Sequence, residues 1–274
     1  MESTDRIAKE RARMPEGTNI IINSRSLAAS HKRLASLIEP GMKILDIGCG
    51  SGAITCGIAE KVGRYGKVIG IDSNVELIRE ARKKGAHIAN LSFEVGDIYS
   101  LDYKSEFDIV TCSRVLQWLS DPQRAIQEMA GCIKENGRVV VLDYNHEKIE
   151  WRPQLPESMQ LFYQKFLKWR NDAGMNNRIA DNLVSMFKDC GLTDIDVSIQ
   201  NEETHKRDED FIAKASIWAD VAAGRGHQLV KDNYISERER NQAETDYRKW
   251  VTEEGTFMSM YLLAVTGKKG SASF

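Results

Sequence analysis

The run LDIGCGSGA places Gly48, Gly50 and Gly52 at alternate positions. Glycine has no Cβ, so such a run lets the backbone turn sharply and approach a ligand closely. With Ala53 the run also satisfies GxGxxA, the spacing that seats a pyrophosphate on a helix N-terminus. Three carboxylates bear on that reading. Asp72 closes IGID about two dozen residues beyond the first glycine, where it can accept both hydroxyl hydrogens of a ribose. Asp46, two residues before Gly48, puts negative charge where a pyrophosphate would be repelled, and suits a cofactor with a cationic amino acid end. Asp97, in EVGDIYSL, can accept from an adenine amino group, with Ile98 beside the ring. Cys49, between the first two glycines, needs only to be small.

These residues require a strand before each loop. KILDIG from Lys43, KVIGID from Lys67, LSFEV from Leu91, FDIVTC from Phe107 and GRVVVLDY from Gly137 read as strands, with helical patterns between most of them. Such alternation implies a parallel sheet covered on both faces. A helix is expected over 18–40, ending at Pro40-Gly41, ahead of a cofactor-binding core over 41–147. Ser73 and Glu76 form an SxxE capping box, Gly85 stands as a C-cap, and Asp121-Pro122 supplies an N-cap followed by proline at the first helical position.

From 148 the alternation breaks. A helical insertion over 148–180 puts Met159, Phe162, Phe166 and Trp169 on one face, either toward the core or as a lid over a site. An amphipathic helix over 181–191 and a strand over 194–200 follow, then a charged helical insertion over 202–255 and a last strand over 257–267. That strand is expected to run antiparallel beside the preceding one and to close the sheet. With no internal repeat or linker, 1–274 reads as one α/β domain: a doubly wound, Rossmann-like, seven-stranded sheet with an antiparallel last strand and helical lid insertions.

Composition narrows the partners. The chain has 38 Lys and Arg against 40 Asp and Glu, a net charge of −2, which gives no basic excess for binding nucleic acid. Five cysteines, odd in number and never spaced as CxxC, give no zinc or redox pair, and the histidines show no metal-ligand spacing. No signal-peptide h-region and no run of 18 apolar residues is found, so a cytoplasmic protein is expected, without a membrane partner.

Over about residues 30–145 the sequence resembles the class I S-adenosylmethionine-dependent methyltransferases, particularly the small-molecule group that includes the ubiquinone and menaquinone methyltransferases. The likeness rests on Asp46 with GCGSG, Asp72, Asp97, FDIVTCSRVLQWLSDP and KENGRVVVLDY. It implies S-adenosylmethionine as cofactor and S-adenosylhomocysteine as product. The backbone at Gly48, Cys49 and Gly50 would hold the cofactor, with Asp72 on the ribose, Ser73 beside it, and Asp97 and Ile98 at the adenine. Ser113, Arg114 and Leu116 would line its substrate side. Many relatives carry histidine near the position of Trp118, so no acid or base transfers there and Trp118 is left to stack on a substrate.

Methyl transfer from a sulfonium is an in-line displacement that positioning alone can accelerate. If the acceptor must lose a proton, Tyr144 and His146 stand by position after the fifth strand, beside Asp143. The acceptor is expected to be small and partly apolar, enclosed by Trp118, Phe162, Phe166 and Trp169, with Trp218 near. Oxygen, nitrogen, sulfur and carbon acceptors all fit these residues. Two other readings stand: a nicotinamide-dependent oxidoreductase, supported by GCGSGA and opposed by Asp46, and a non-catalytic S-adenosylmethionine-binding regulator whose insertions form a protein interface.

Overall fold

A computed structural model describes residues 2–13, 23 and 25–270. Its centre is a seven-stranded sheet of order β3-β2-β1-β4-β5-β10-β7. The first five strands are β1 (Lys43–Ile47), β2 (Lys67–Asp72), β3 (Leu91–Val95), β4 (Phe107–Ser113) and β5 (Ile133–Tyr144), each parallel to its neighbour. Ile44, Leu45, Val68, Ile69, Val110, Val139 and Val141 are all buried, as the continuous apolar runs of a sheet covered on both faces require.

The last strand differs in two ways from expectation. Tyr261 interrupts it, dividing β9 (Phe257–Met260) from β10 (Leu262–Lys269). β10 is antiparallel to both β5 and β7 (Leu192–Ile199), so it lies inside the sheet and β7 forms the edge. Burial explains the order: Leu262, Ala264 and Val265 are fully buried, whereas Val197 and Ile199 of β7 are exposed. β9 belongs instead to a small antiparallel sheet with β6 (Glu150–Arg152) and β8 (Glu202–His205), which sequence patterning did not indicate.

At the N-terminus, α1 (Glu2–Ala12) precedes α2 (Leu27–Ser30) and α3 (Lys32–Leu37). Residues 18–22 and 24 of the expected 18–40 helix lie outside the described residues; the remainder is two helices, not one. His31 divides them, closing α2 with its backbone N–H to the Leu27 carbonyl and capping α3 through Nδ1, which accepts from Leu34 N at 3.4 Å. α4 (Ala53–Val62) follows the glycine run.

The cap of α5 (Val75–Gly85) is Asn74 and not Ser73: Asn74 Oδ1 accepts from Glu76 N at 2.9 Å and Leu77 N at 3.2 Å. Asparagine caps as well as serine, and using it leaves Ser73 in the loop. Gly85 ends the helix without turning left-handed; what it supplies is space, since a Cβ there would meet Phe93 at 2.8 Å. Asp121 caps α6 (Pro122–Cys132) as expected, accepting from Arg124 N at 3.0 Å.

The two insertions pack on each other. Met159, Phe162, Phe166 and Trp169 of α7 (Glu157–Asn171) share a core with Trp218 of α10 (Ile217–Ala223) and with Tyr247 and Trp250 of α12 (Glu237–Glu253). Leu142, Tyr144, Leu262 and Ala264 from the sheet belong to the same cluster. The remaining helices are α8 (Ile179–Asp189), α9 (Phe211–Ala215) and α11 (Gly226–Lys231). No helix among the described residues is long and apolar enough to cross a membrane.

Candidate functional site

The turn after β1 is built from left-handed glycines. Gly48, Gly50 and Gly52 have φ of 70°, 56° and 77°. A Cβ on Gly48 would lie 2.3 Å from Val115 Cγ2, so this position excludes every other residue on both backbone and space. The loop is tied to the end of β2: Gly48 N and Cys49 N both donate to the Ile71 carbonyl, at 2.7 and 3.0 Å, and Gly50 N donates to Asp72 Oδ2 at 2.9 Å. Asp72 Oδ1 accepts from Asn74 N at 2.8 Å. The Ser73 backbone also donates to this carboxylate, which keeps acceptor capacity for a further donor.

Asp46 is 4% exposed, and the Thr55 hydroxyl donates to its Oδ2 at 2.7 Å. Burial pushes its carboxyl up to about 7, with the Thr55 bond opposing and the Asp72 charge adding to the rise. Burial also raises Asp72, opposed by its backbone amide donors. Asp97, after β3, accepts from Tyr99 N at 3.0 Å and from Lys9 Nζ of α1 at 3.1 Å.

These groups open into one cavity of about 740 Å³, within the range of small-molecule sites. Asp46, Gly48, Cys49, Gly50, Asp72, Ser73, Asp97 and Ile98 line one half. Ser113, Arg114, Trp118, Tyr144, His146 and Phe166 line the other. Three expected residues do not reach it. Leu116 is fully buried beneath the turn, against α6 and the sheet. Phe162 and Trp169 face the core of the insertions, where Trp169 Nε1 donates to Asp232 at 2.7 Å. The helical period placed all four aromatic and Met side chains of α7 on one face, but only Phe166 lies where that face meets the cavity.

In the second half, Arg114 takes a left-handed φ of 63°. It donates to the Tyr144 hydroxyl at 2.8 Å, Ser113 Oγ at 2.9 Å and the Ser30 carbonyl at 3.2 Å, and pairs with Glu202. Tyr144 is thereby committed, since its hydroxyl also donates to Glu202 at 3.4 Å and burial raises it above its ordinary range. His146 is held differently. Gln117 Nε2 donates to the Arg114 carbonyl at 3.1 Å, which turns Gln117 Oε1 toward His146 Nε2 at 2.6 Å. An amide oxygen only accepts, so the proton of the imidazole sits on Nε2. Burial, with the Arg170 charge, pushes His146 well below its usual range, and it is neutral near pH 7. Cys49 is the reverse case: burial drives its thiol well up, leaving no thiolate to act as a nucleophile.

Sequence reasoning missed the wall supplied by α1. Asp5, Ala8 and Lys9 line the cavity, and Ser120 Oγ donates to Asp5 Oδ1 at 3.1 Å. Arg225 lines the far end, its guanidinium 4.0 Å from the Trp118 ring and its Nη1 donating to the Arg11 carbonyl at 2.8 Å. The available signal in α1 was Ala8 and Ala12 at helical spacing among charges.

A methyltransferase domain family matches residues 38–210. The demethylmenaquinone methyltransferase of Alkalihalophilus pseudofirmus is 29% identical over 174 residues, covering 58% of this chain and 74% of that protein. An uncharacterized 37.1 kDa protein of a Streptomyces fradiae transposon is 36% identical over 104 residues, and the match spans only 38% of this chain and 30% of that protein. Among solved structures, phosphoethanolamine N-methyltransferase 2 of Haemonchus contortus, in complex with S-adenosylhomocysteine, shares the fold with a TM-score of 0.55 and 15% identity, over 94% of this chain and 54% of that one. With the family match covering well over half of its length, the chain belongs to the methyltransferase domain family.

Proposed function

We propose that the protein transfers a methyl group from S-adenosylmethionine to a small, partly apolar acceptor held in this cavity. The observation that carries the reading is the division of one cavity between carboxylates at three successive strand ends and an aromatic wall of Trp118, Phe166 and Trp218. The residues fit the cofactor. Asp46 is a buried carboxylate without a cationic side chain among its partners, matched to an ammonium group; Asp72 suits a ribose diol, and Asp97 with Ile98 an adenine edge. The cradle at Gly48, which a Cβ would fill, admits a ligand against the backbone. A pyrophosphate would instead meet the Asp46 charge, which disfavours a dinucleotide.

When bound, the cofactor's sulfonium supplies an activated methyl group. The chain's own contribution is to orient the acceptor against Trp118 and Phe166 and to exclude water, which suffices for a nucleophile without a proton to lose. For an acceptor that must lose one, His146 supports a base role better than Tyr144, whose hydroxyl is engaged by Arg114 and Glu202.

The test is thermal unfolding with S-adenosylhomocysteine, S-adenosylmethionine, NADH and NADPH in parallel, followed by methyl incorporation into an acceptor panel. At a hundred times its dissociation constant a ligand adds about 2.7 kcal/mol, a shift of roughly 5 to 10 °C for a chain this size. A shift with the adenosyl ligands alone, and turnover, is expected. A shift with a nicotinamide instead would overturn the reading, and binding without turnover would favour a regulator.

A further inference from the structure

The cavity is divided by charge. Asp46, Asp72 and Asp97 line the cofactor half, while Arg25, Arg114 and Arg225 line the part beyond them. Asp220 also lines that part, but its carboxylate is taken by Arg248 at 3.1 Å. Two of the three arginines are accounted for by the protein itself. Arg225 donates to the carbonyls of Arg11, Ala12 and Arg13 at the end of α1. Arg114 donates to Glu202 Oε1 and the Tyr144 hydroxyl to Oε2, so both oxygens of that carboxylate are engaged.

Arg25 is the exception. It stands just before Ser26, the cap of α2, and is part-buried in the cavity wall. Among the described residues it donates no hydrogen bond and pairs with no carboxylate, and none of its nitrogens is a fully enclosed atom without a partner, so the guanidinium keeps surface toward the cavity. The charges of Arg114, Glu202 and Asp143 act on it, and burial with the Arg114 charge pushes it down from its ordinary value. Asp143 is itself held by the Tyr144 and Gln117 amides. A guanidinium stays protonated, and one left desolvated beside a like charge without a counter-ion is costly. From this end a row of rings runs along the cavity: the Arg114 guanidinium lies 5.5 Å from the Tyr144 ring, Tyr144 5.4 Å from His146, and His146 6.1 Å from Phe166.

We infer that the acceptor is an anion, a carboxylic acid whose carboxylate is held by Arg25 and whose apolar body lies along the Tyr144, His146 and Phe166 rings. This rests on the methyl-transfer reading and extends it to the charge of the acceptor. A guanidinium presents parallel N–H groups that match the two oxygens of a carboxylate, which fixes orientation as well as charge. A phosphate dianion would call for a second free cation, and Arg114 is already paired with Glu202. Placing the anion at the arginine end leaves the Asp46 end to the ammonium group of the cofactor, so each charge on the two ligands meets its opposite on the protein.

The test is calorimetric titration of the protein, loaded with S-adenosylhomocysteine, with 4-phenylbutyrate, its neutral amide, 3-phenylpropylphosphonate and 4-phenylbutylamine. The acid is expected to bind at least about tenfold more tightly than the amide, and more tightly than the phosphonate. Arg25→Gln should abolish the preference for the acid while amide binding stays within about twofold. Arg25→Lys should keep part of the preference, having the charge without the fork. Arg25→Glu should reverse it in favour of the amine, a change that a purely structural role for Arg25 would not produce. Affinity for S-adenosylhomocysteine, expected to be unchanged in all three variants, shows that each is folded. Equal binding of acid and amide, no binding of the acid at millimolar concentration, tighter binding of the phosphonate, or an acid preference that survives Arg25→Gln overturns the inference. Failure of S-adenosylhomocysteine to bind the wild type defeats the methyltransferase reading itself, and the same titrations on the free protein then judge Arg25 separately.

Discussion

Asp46 is the residue whose environment is hardest to explain by folding alone. Its carboxyl stands at about 7 against an ordinary 3.8, chiefly from desolvation. The folded state therefore holds the proton more tightly than the unfolded chain, and a stability cost develops as pH rises from about 4 to about 7, reaching about 4 kcal/mol above that. A cation placed against Asp46 would offset the cost and favour the ionised form. S-adenosylhomocysteine, which brings an ammonium group, is then expected to bind about tenfold more tightly at pH 8 than at pH 6, since below its pKa the carboxylate is lost by a factor of ten per unit. Calorimetry at the two values checks this. Asp72 shifts in the same direction, and Asp46→Asn separates the two: the variant should bind more weakly and lose most of the pH slope. A slope retained in Asp46→Asn would move the titration to Asp72. Gly48 gives a second prediction at this scale. Gly41 and Gly48 share a left-handed φ, but a Cβ on Gly41 meets nothing within 4 Å while one on Gly48 meets Val115 at 2.3 Å. Gly41→Ala should cost about 1 kcal/mol in urea unfolding, from backbone strain alone, and Gly48→Ala clearly more, with loss of cofactor binding.

Among the elements, α1 was the least legible and bears most directly on the cavity. It has one well-buried apolar side chain, Ala8, and is held by contacts that leave no local pattern: Lys9 to Asp97, Ser120 to Asp5, and Arg225 to the Arg11 carbonyl. The Arg11 guanidinium also lies 4.9 Å from the Trp169 ring and 5.3 Å from that of Tyr234. Strands β1, β2, β4 and the second half of β5 were legible for the opposite reason, since burial on both faces imposes apolar runs on the sequence itself, whereas β3 at the edge buries only Phe93. Phe162 and Trp169 show the intermediate case: periodicity identifies which residues share a face and says nothing about what that face meets. The sheet of β6, β9 and β8 joins segments of three or four residues separated by some fifty or more positions, below any local signal. Because α1 walls the cavity, its removal should speed release of cofactor. The Lys9–Asp97 pair is about half exposed and contributes little by itself, so the helix acts by covering the site and not through that one pair. Deleting residues 1–12 is expected to raise the dissociation rate of S-adenosylhomocysteine about tenfold, a loss of about 1.4 kcal/mol if the association rate is unchanged. Stopped-flow displacement measures it; an unchanged rate would make α1 a support for α11 and the insertions only.

Across the whole molecule, the insertions share one buried cluster with the sheet. Their aromatic core includes Leu142 and Tyr144 of β5 and Leu262 and Ala264 of β10, so the cluster continues into the sheet with no seam between them. The cavity lies where these two bodies of structure meet, walled on one side by the β1, β2 and β3 loops and on the other by Phe166 and Trp218. Such an arrangement couples stability on both sides while letting residues away from the boundary serve stability alone. Trp250 tests this: it is 1% exposed, stacks on Tyr247 with ring centroids 5.4 Å apart, and does not line the cavity. Trp250→Ala should remove about 3 to 5 kcal/mol of stability, the usual cost of emptying a large buried aromatic site. If sheet and insertions are one cooperative body, far-ultraviolet and near-ultraviolet dichroism will lose signal together in a single transition at lower temperature, with S-adenosylhomocysteine affinity measured below that transition within about threefold of wild type. Two separated transitions in the variant, with cofactor binding surviving the first, would show that the insertions unfold on their own and that the shared cluster on β5 and β10 is a contact between independent units.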